Sequence, residues 1–257
     1  MIQSFDLSGK TIALTGGYGH LGKVVAEYLV SHNAKVCVLG LNKRKFDQVF
    51  EKMENIGFIE CDVSQSFSIK KAFKTVVEKH KKIDVLINNA FYSKGQSPDF
   101  LTDEEWEYGI QGTLSSVFKC TREIIPYFKK QKTGKIINVS SMYGMIAPQF
   151  EIYSDFPEFI TPPHYGASKA GIIQLTKYYA SYLGKHNITV NTITPGPFPS
   201  NQVQQKQKFV KELALKTCLN RVGSPYDLGG AFVFLSSDAS NFITGQNIVI
   251  DGGWTIK

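Results

Sequence analysis

Short runs of apolar residues alternate with longer amphipathic stretches along the whole chain. Seven such runs predict buried strands, at residues 11–15, 35–39, 58–61, 83–87, 135–139, 188–193 and 247–250. The stretches between them have helical periodicity. Strands rich in Val, Ile and Leu that are separated by helices are typical of a parallel sheet covered on both faces. The pattern therefore predicts an α/β fold with a doubly wound parallel sheet of about seven strands.

The chain has 257 residues, a size that one α/β sheet commonly reaches, and its sequence shows no repeat or linker. We therefore expect a single domain over residues 1–257. Thr102 and Glu105 form a capping-box pattern at the start of a long helix that runs through Trp106 toward Phe128. Loops that follow the carboxyl ends of strands form the ligand crevice of such sheets. Substrate loops are expected at about 147–163 and 195–215.

The formal net charge is +7, but the lysines are dispersed and their short clusters fall where helices are predicted to begin or end. A solvated surface therefore explains the charge better than a nucleic-acid groove. No apolar run is long enough to span a bilayer, and the N-terminus lacks the features of a signal peptide. We expect no metal site, nucleic acid or membrane partner. The scattered cysteines indicate reduced thiols in a cytoplasmic protein: Cys37, Cys61, Cys120 and Cys218.

A glycine-rich loop, TGGYGHLG at residues 15–22, lies between the first predicted strand and the first predicted helix. Glycines there let the backbone turn tightly and approach a pyrophosphate, whose charge is met by the helix N-terminus. This placement predicts a Rossmann-type dinucleotide site. The loop residues expected to contact the cofactor are Gly16, Tyr18, Gly19, His20 and Leu21.

The end of the second predicted strand bears on the choice between NAD and NADP. A carboxylate at that point binds the ribose 2′-hydroxyl and favours NAD, but this chain has Gly40 there. Lys43 and Arg44 follow shortly after and are suited to a 2′-phosphate, unless they are simply solvated. The sequence therefore favours NADP over NAD.

Tyr165 and Lys169 are four residues apart in a predicted helix, so they lie one turn from each other. An ammonium beside a phenol lowers the pKa of the phenol, which then exchanges a proton with an alcohol or ketone. Ser140 and Ser141 end the fifth predicted strand, where a hydroxyl polarises a substrate oxygen. Chance spacing and an ordinary strand-ending serine pair are the alternatives.

Seven motifs occur in an order that resembles the short-chain dehydrogenase/reductase family from residue 7 to residue 255. They are the glycine loop, Cys61-Asp62-Val63, Asn88-Asn89-Ala90, Asn138-Val139-Ser140-Ser141, Tyr165-Gly166-Ala167-Ser168-Lys169, NTITPG at 191–196 and FITGQNIVIDGGW at 242–254. The resemblance implies that Tyr165 is the acid/base, that Lys169 tunes it and holds the nicotinamide ribose, and that Ser141 polarises the substrate.

The resemblance also implies the remaining cofactor contacts. Asp62 and Val63 would flank the adenine, while Asn89 and Ala90 would lie under the cofactor. The nicotinamide would be bordered by Pro195, Gly196 and Ser200. Family members are usually tetramers, so a homo-tetramer or homo-dimer is expected, with the segment containing Trp254 and the helix near Pro225 at its interfaces.

Three positions depart from the family pattern. His20 replaces the middle glycine of the short-form motif, which leaves the glycine spacing of longer members that act mostly on nucleotide sugars. Phe91 replaces a glycine and is expected to crowd the nicotinamide side. Thr113 stands where many members have an asparagine that completes a proton relay through water.

The segment between Ser141 and Tyr165 is about twice as long as in typical members, and residues 149–159 mix aromatics with carboxylates. Such side chains suit a polyhydroxylated ligand, although the loop can equally pack on itself or on a partner. The sequence therefore indicates an NAD(P)-dependent oxidoreductase acting on a secondary alcohol or ketone, with a sugar or polyol as the favoured substrate. An epimerase or dehydratase with transiently used nicotinamide, and a non-catalytic nicotinamide-binding protein, are the alternatives.

Overall fold

A computed structural model describes residues 5–51 and 53–257. Seven strands form one parallel sheet in the order β3-β2-β1-β4-β5-β6-β7. The predicted doubly wound sheet is confirmed, and the strand ends differ from the predicted ones by at most two residues. The strands are β1 (Thr11–Thr15), β2 (Lys35–Gly40), β3 (Ile56–Glu60), β4 (Val85–Asn88), β5 (Gly134–Val139), β6 (Ile188–Pro195) and β7 (Asn247–Ile250).

Helices cover both faces of the sheet because alternate strand residues point to opposite sides. Ala13 packs in an apolar cluster with residues of α3, α5 and α6, whereas Ile12 and Leu14 pack with residues of α1 and α9. The helices are α1 (His20–Ser31), α2 (Lys43–Val49), α3 (Ser66–His80), α4 (Asp103–Ile110), α5 (Ser116–Gln131), α6 (Pro163–Leu183), α7 (Asn201–Gln204), α8 (Gln207–Leu215) and α9 (Tyr226–Ser236). In the part of the chain that the structure describes, no helix is both long and apolar enough to cross a membrane.

The long helix predicted from the capping box is present as α4 and α5, joined by a π-helical turn at Gln111–Ser115. The Thr102 hydroxyl accepts from the Glu105 amide at 3.2 Å, and the Glu105 carboxylate accepts from the Thr102 amide at 3.1 Å. These two bonds satisfy amides that would otherwise lack partners at the helix N-terminus. The π-helical turn inserts one extra residue per turn and contains Thr113.

The two loop regions expected over the crevice are partly ordered into helices. Residues 147–163 contain two 3₁₀ turns, Phe150–Tyr153 and Pro157–Phe159, and the 195–215 region contains α7 and α8. The strand order reverses between β1 and β4, which places a crevice at the carboxyl ends of these two strands.

Candidate active site

A cavity of about 570 Å³ opens at the carboxyl ends of the central strands. Its volume falls in the usual range for a ligand or cofactor site. Fifteen of the seventeen predicted site residues line it: Gly16, Tyr18, Gly19, His20, Leu21, Asp62, Val63, Asn89, Ala90, Ser141, Tyr165, Lys169, Pro195, Gly196 and Ser200. The fold thus brings together residues that are up to 184 positions apart, from Gly16 to Ser200.

Lys43 and Arg44 are not among the residues that line this cavity. Lys43 forms an ion pair with Asp47 at 2.6 Å, one turn along α2, and both side chains are exposed. Arg44 is also exposed. The structure therefore does not support the two cations as cavity residues, because α2 directs them to solvent and to a neighbouring carboxylate.

The glycine loop has the backbone form that a pyrophosphate needs. Gly16 has φ +66°, and a Cβ at Gly22 would lie 2.3 Å from the Gly16 carbonyl oxygen. Gly19 precedes α1 without a side-chain cap, so the first amides of that helix have no capping side chain. Uncapped amides at a helix N-terminus bind anionic groups. The residues present therefore fit a dinucleotide.

Asn89 fastens the glycine loop to the end of β4. Its side-chain amide donates to the carbonyls of Thr15 at 3.0 Å and Gly16 at 3.1 Å. The Thr15 hydroxyl in turn accepts from the amides of Asn89 and Ala90, both at 3.0 Å. These bonds hold the floor of the cavity in one arrangement.

His20 connects the glycine loop to the segment after β6. The backbone of Phe198 and Pro199 favours the charged form of its ring, while partial burial has the larger effect and lowers the pKa of His20. His20 therefore lies between the glycine loop and the segment after β6. The site residues near Pro195 and Ser200 are thereby held close to the phosphate side of the cavity.

Ser141, Tyr165 and Lys169 meet at the other side of the cavity. Ser141 lies close enough to the Tyr165 hydroxyl to affect its pKa, and the Lys169 ammonium lies 5.4 Å from the centre of the Tyr165 ring. Lys169 donates to the Val139 carbonyl at 2.8 Å, and the Ser140 hydroxyl donates to the Lys169 carbonyl at 2.8 Å. The end of β5 thus positions both the serine and the lysine.

Burial governs the protonation of this group. It raises the pKa of Tyr165, although the neighbouring Ser141 hydroxyl acts in the opposite direction. Burial also lowers the pKa of Lys169 from 10.5 to about 7. The pKa of Tyr165 is thus raised, whereas the spacing of Tyr165 and Lys169 predicted that it would be lowered. The reason is that a buried lysine that readily loses its proton stabilises a phenolate only weakly.

Phe91 borders the same group. Its ring packs edge-on against Tyr165 with centres 5.9 Å apart, and the Lys169 ammonium lies 5.4 Å from its centre. The Phe91 side chain is 54% exposed and lines the cavity, which is consistent with the expectation that it crowds the nicotinamide side.

Some cavity residues escaped the sequence analysis. They include Leu41, Tyr92, Val139 and Phe198. The important group at Val139 is a backbone carbonyl, for which a sequence carries no signal. Phe198 lies between two prolines, which indicated a loop but not the direction of its ring.

The insertion packs differently from the prediction. Tyr153 is 4% exposed, and the rings of Tyr153, Phe156 and Phe159 lie 5.0–5.7 Å from that of Phe209 in α8. None of the residues at 147–163 lines the cavity. Most of the aromatic side chains expected to face a sugar therefore form a small apolar core, the alternative considered for this loop.

Comparison with known proteins identifies the relatives of the whole chain. Residues 19–255 match the family model described as enoyl-(acyl carrier protein) reductase. The chain is 33% identical to 3-oxoacyl-(acyl-carrier-protein) reductase FabG of Thermotoga maritima, with 97% of this chain and 99% of that protein covered. It is 31% identical to 2-dehydro-3-deoxy-D-gluconate 5-dehydrogenase of Dickeya dadantii, with both chains covered fully.

The chain belongs to the short-chain dehydrogenase/reductase family. It is an oxidoreductase of that family. Among solved structures, it is similar to a short chain dehydrogenase from Leptospira borgpetersenii with bound NAD+, at a TM-score of 0.89 and 33% identity over 100% of this chain and 97% of that one. A putative gluconate dehydrogenase from Agrobacterium tumefaciens also has a TM-score of 0.89, at 28% identity over 98% of both chains.

Proposed function

We propose that this protein transfers hydride reversibly between a nicotinamide dinucleotide and a secondary alcohol or ketone, with Tyr165 as the acid/base. The observation that carries the proposal is the convergence of Ser141, Tyr165 and Lys169 on the cavity that also contains the glycine loop. A dinucleotide site next to a neighbouring serine and tyrosine is suited to moving a hydride and a proton together.

The roles follow from the contacts. A nicotinamide dinucleotide held by the glycine loop and the segment from Pro195 to Ser200 would supply hydride-transfer chemistry at this site. In reduction, the Tyr165 hydroxyl gives its proton to the carbonyl oxygen of the substrate, and in oxidation the phenolate takes the hydroxyl proton. Ser141, which lies close to Tyr165 in the same cavity, orients the same substrate oxygen. The raised pKa of Tyr165 keeps the phenol protonated at neutral pH, which is the form required for reduction.

A polyhydroxylated molecule such as a sugar acid is the substrate class that we propose. The support comes from the 31% identical gluconate-type dehydrogenase and from the putative gluconate dehydrogenase structure.

A 3-oxoacyl thioester is the second candidate. Phe91 and Phe198 place aromatic rings on the cavity wall, which suits an acyl chain. The 33% identical FabG of Thermotoga maritima is named for this activity.

A substrate panel distinguishes the two candidates. Purified protein would be incubated with NAD+ or NADP+ and sugar acids, sugar phosphates, polyols and simple secondary alcohols, or with the reduced cofactors and 3-oxoacyl thioesters. We expect a kcat/KM for a polyhydroxylated substrate at least about tenfold above that for any thioester. The reverse order supports the second candidate. Retained cofactor without a net change in reduced nicotinamide supports an epimerase, and binding without turnover supports a non-catalytic protein.

Location and assembly are further parts of the proposal. The four cysteines are free and three are buried, which supports a reducing, cytoplasmic compartment.

We also propose a homo-oligomer, a tetramer or dimer, to be measured by light scattering after size exclusion. Trp254 is only 2% exposed within the chain and packs in the small apolar core that contains Tyr153 and Phe209. The exposed rings of Tyr226 and Phe242 are therefore better interface candidates in these segments than Trp254.

A further inference from the structure

Tyr18 belongs to the glycine loop, and its side chain reaches the end of β2. Its hydroxyl oxygen accepts hydrogen bonds from the amides of Leu41 at 3.0 Å and Asn42 at 3.1 Å. Its ring packs against Phe58 with centres 6.5 Å apart. Tyr18 is thus fixed by the strand and loop on which it lies, and it lines the same cavity as Gly40 and Leu41.

The ring of Tyr18 also explains why residue 40 is glycine. A Cβ at Gly40 would lie 2.5 Å from the Tyr18 hydroxyl oxygen and 2.5 Å from a ring carbon. An aspartate or glutamate cannot occupy this position while Tyr18 keeps its place. The tyrosine hydroxyl therefore stands near the point where a carboxylate at the end of the second strand meets the adenine ribose in dinucleotide-binding sheets.

The hydrogen-bond capacity of the phenol indicates what it recognises there. The phenol oxygen accepts from both amides, so its own proton remains to be donated. A ribose 2′-hydroxyl accepts one such bond without carrying charge. A 2′-phosphate needs several donors, and the nearest two backbone amides are already bound to Tyr18.

The neighbouring lysine and arginine side chains are poorly placed to neutralise the charge of a 2′-phosphate. Lys43 is paired with Asp47 at 2.6 Å. The Lys45 ammonium lies over the Tyr18 ring, 6.0 Å from its centre. Arg44 is exposed on α2 and does not line the cavity.

We propose that the Tyr18 hydroxyl replaces the missing carboxylate, binds the adenine-ribose 2′-hydroxyl and makes NAD the preferred cofactor of this enzyme. This reverses the preference for NADP expected from Gly40, Lys43 and Arg44. The inference rests on the proposed function, since it concerns the cofactor of the same site.

Equilibrium binding tests the inference without any substrate. NAD+ and NADP+ would be titrated separately into the purified protein by calorimetry, and the ratio of the NADP+ to the NAD+ dissociation constant compared among variants. We expect a wild-type ratio of at least about ten, which is the size of effect that two or three lost hydrogen bonds produce. Tyr18→Phe keeps the ring and frees both amides, so the ratio should fall about fivefold.

Two controls separate Tyr18 from general effects. Tyr226→Phe removes a hydroxyl outside the cavity and should leave the ratio unchanged. Lys43→Ala with Arg44→Ala should leave both affinities within about twofold, since neither residue lines the site.

Each remaining outcome is decisive. Equal or tighter binding of NADP+ by the wild type overturns the inference while leaving the proposed function intact. An unchanged ratio in Tyr18→Phe overturns the role of Tyr18, even if the wild type prefers NAD+. Failure of both dinucleotides to bind overturns the proposed function itself.

Discussion

The glycine loop and the insertion at 147–163 both approach the catalytic group, but they are built in different ways. The loop presents its backbone: its positive φ at Gly16, its uncapped helix amides and its missing Cβ atoms create a cradle. The insertion depends on side chains, and most of its aromatic rings turn toward Phe209 instead of the cavity. A function that depends on backbone geometry is thus easier to infer than one that depends on the direction of a ring.

The insertion meets the turn after β5 at Tyr143 and Tyr153, whose hydroxyls are 2.5 Å apart. Both tyrosines lie close enough to Tyr165 to interact with it electrostatically. Changes on the crevice side should therefore alter the reaction without unfolding the protein. Changes inside the insertion should alter stability first.

The largest expected effect on activity is that of Tyr165→Phe. Removal of the hydroxyl eliminates the proton donor, so kcat should fall by a factor of about 10² to 10⁴. Dissociation constants for the dinucleotide should change by less than about threefold, as calorimetry would show. Tyr178→Phe, an exposed tyrosine on the same helix, is the matched control and should retain full activity. Normal turnover by Tyr165→Phe would remove Tyr165 from the mechanism.

The largest expected effect on stability lies in the insertion core. Phe209 is 3% exposed and touches three aromatic rings, so Phe209→Ala should lower the free energy of unfolding by about 3–5 kcal/mol. Phe150→Ala removes a ring from the same insertion that is 52% exposed, and should cost less than about 0.5 kcal/mol. Urea denaturation of both variants measures the difference. Equal effects would show that the insertion does not pack as described.

Lys169 connects stability to pH. Because its pKa is lowered to about 7, the folded protein releases this proton near pH 7, whereas the unfolded chain keeps it up to 10.5. The unfolded state binds more protons in that interval, so stability should rise with pH from about 7 toward 10.5. Lys169→Met should reduce this slope by up to about 1.4 kcal/mol per pH unit and abolish turnover.

Urea titrations between about pH 7 and 9 would measure that slope. Lys177→Met, an exposed lysine of the same helix, should leave it unchanged. A weaker slope should persist in Lys169→Met above about pH 8, because burial also lowers the pKa of Lys135 to about 8. Identical pH profiles for Lys169→Met and the wild type would show that Lys169 is protonated in the folded protein at neutral pH and above.

The smallest expected effect concerns Thr113, which is 1% exposed and whose hydroxyl has no hydrogen-bond partner among the described residues. Thr113→Val keeps the shape and removes the unsatisfied group, so thermal denaturation should show a gain of about 1 kcal/mol. The pH profile of kcat should not change. A loss of stability together with a shifted profile would show instead that this hydroxyl holds a water needed for proton transfer.

Much of the fold and part of the site followed from the sequence because they depend on local patterns. The alternation of apolar runs and helices predicted seven parallel strands, and the capping box at Thr102 marked the start of α4. The glycine loop and the Tyr165–Lys169 spacing predicted residues that now line one cavity. These signals need only the period of a helix or strand and the conformational freedom of glycine.

Other properties were decided by tertiary structure. The position of Tyr18 against Gly40, the contact of Lys169 with the Val139 carbonyl and the burial that raises the pKa of Tyr165 each require distant segments to meet. The direction of the insertion rings was decided by Phe209, which lies about 50 residues further along the chain. Sequence spacing identifies which groups are present, but the solvation and contacts that set their chemistry exist only after the chain has folded.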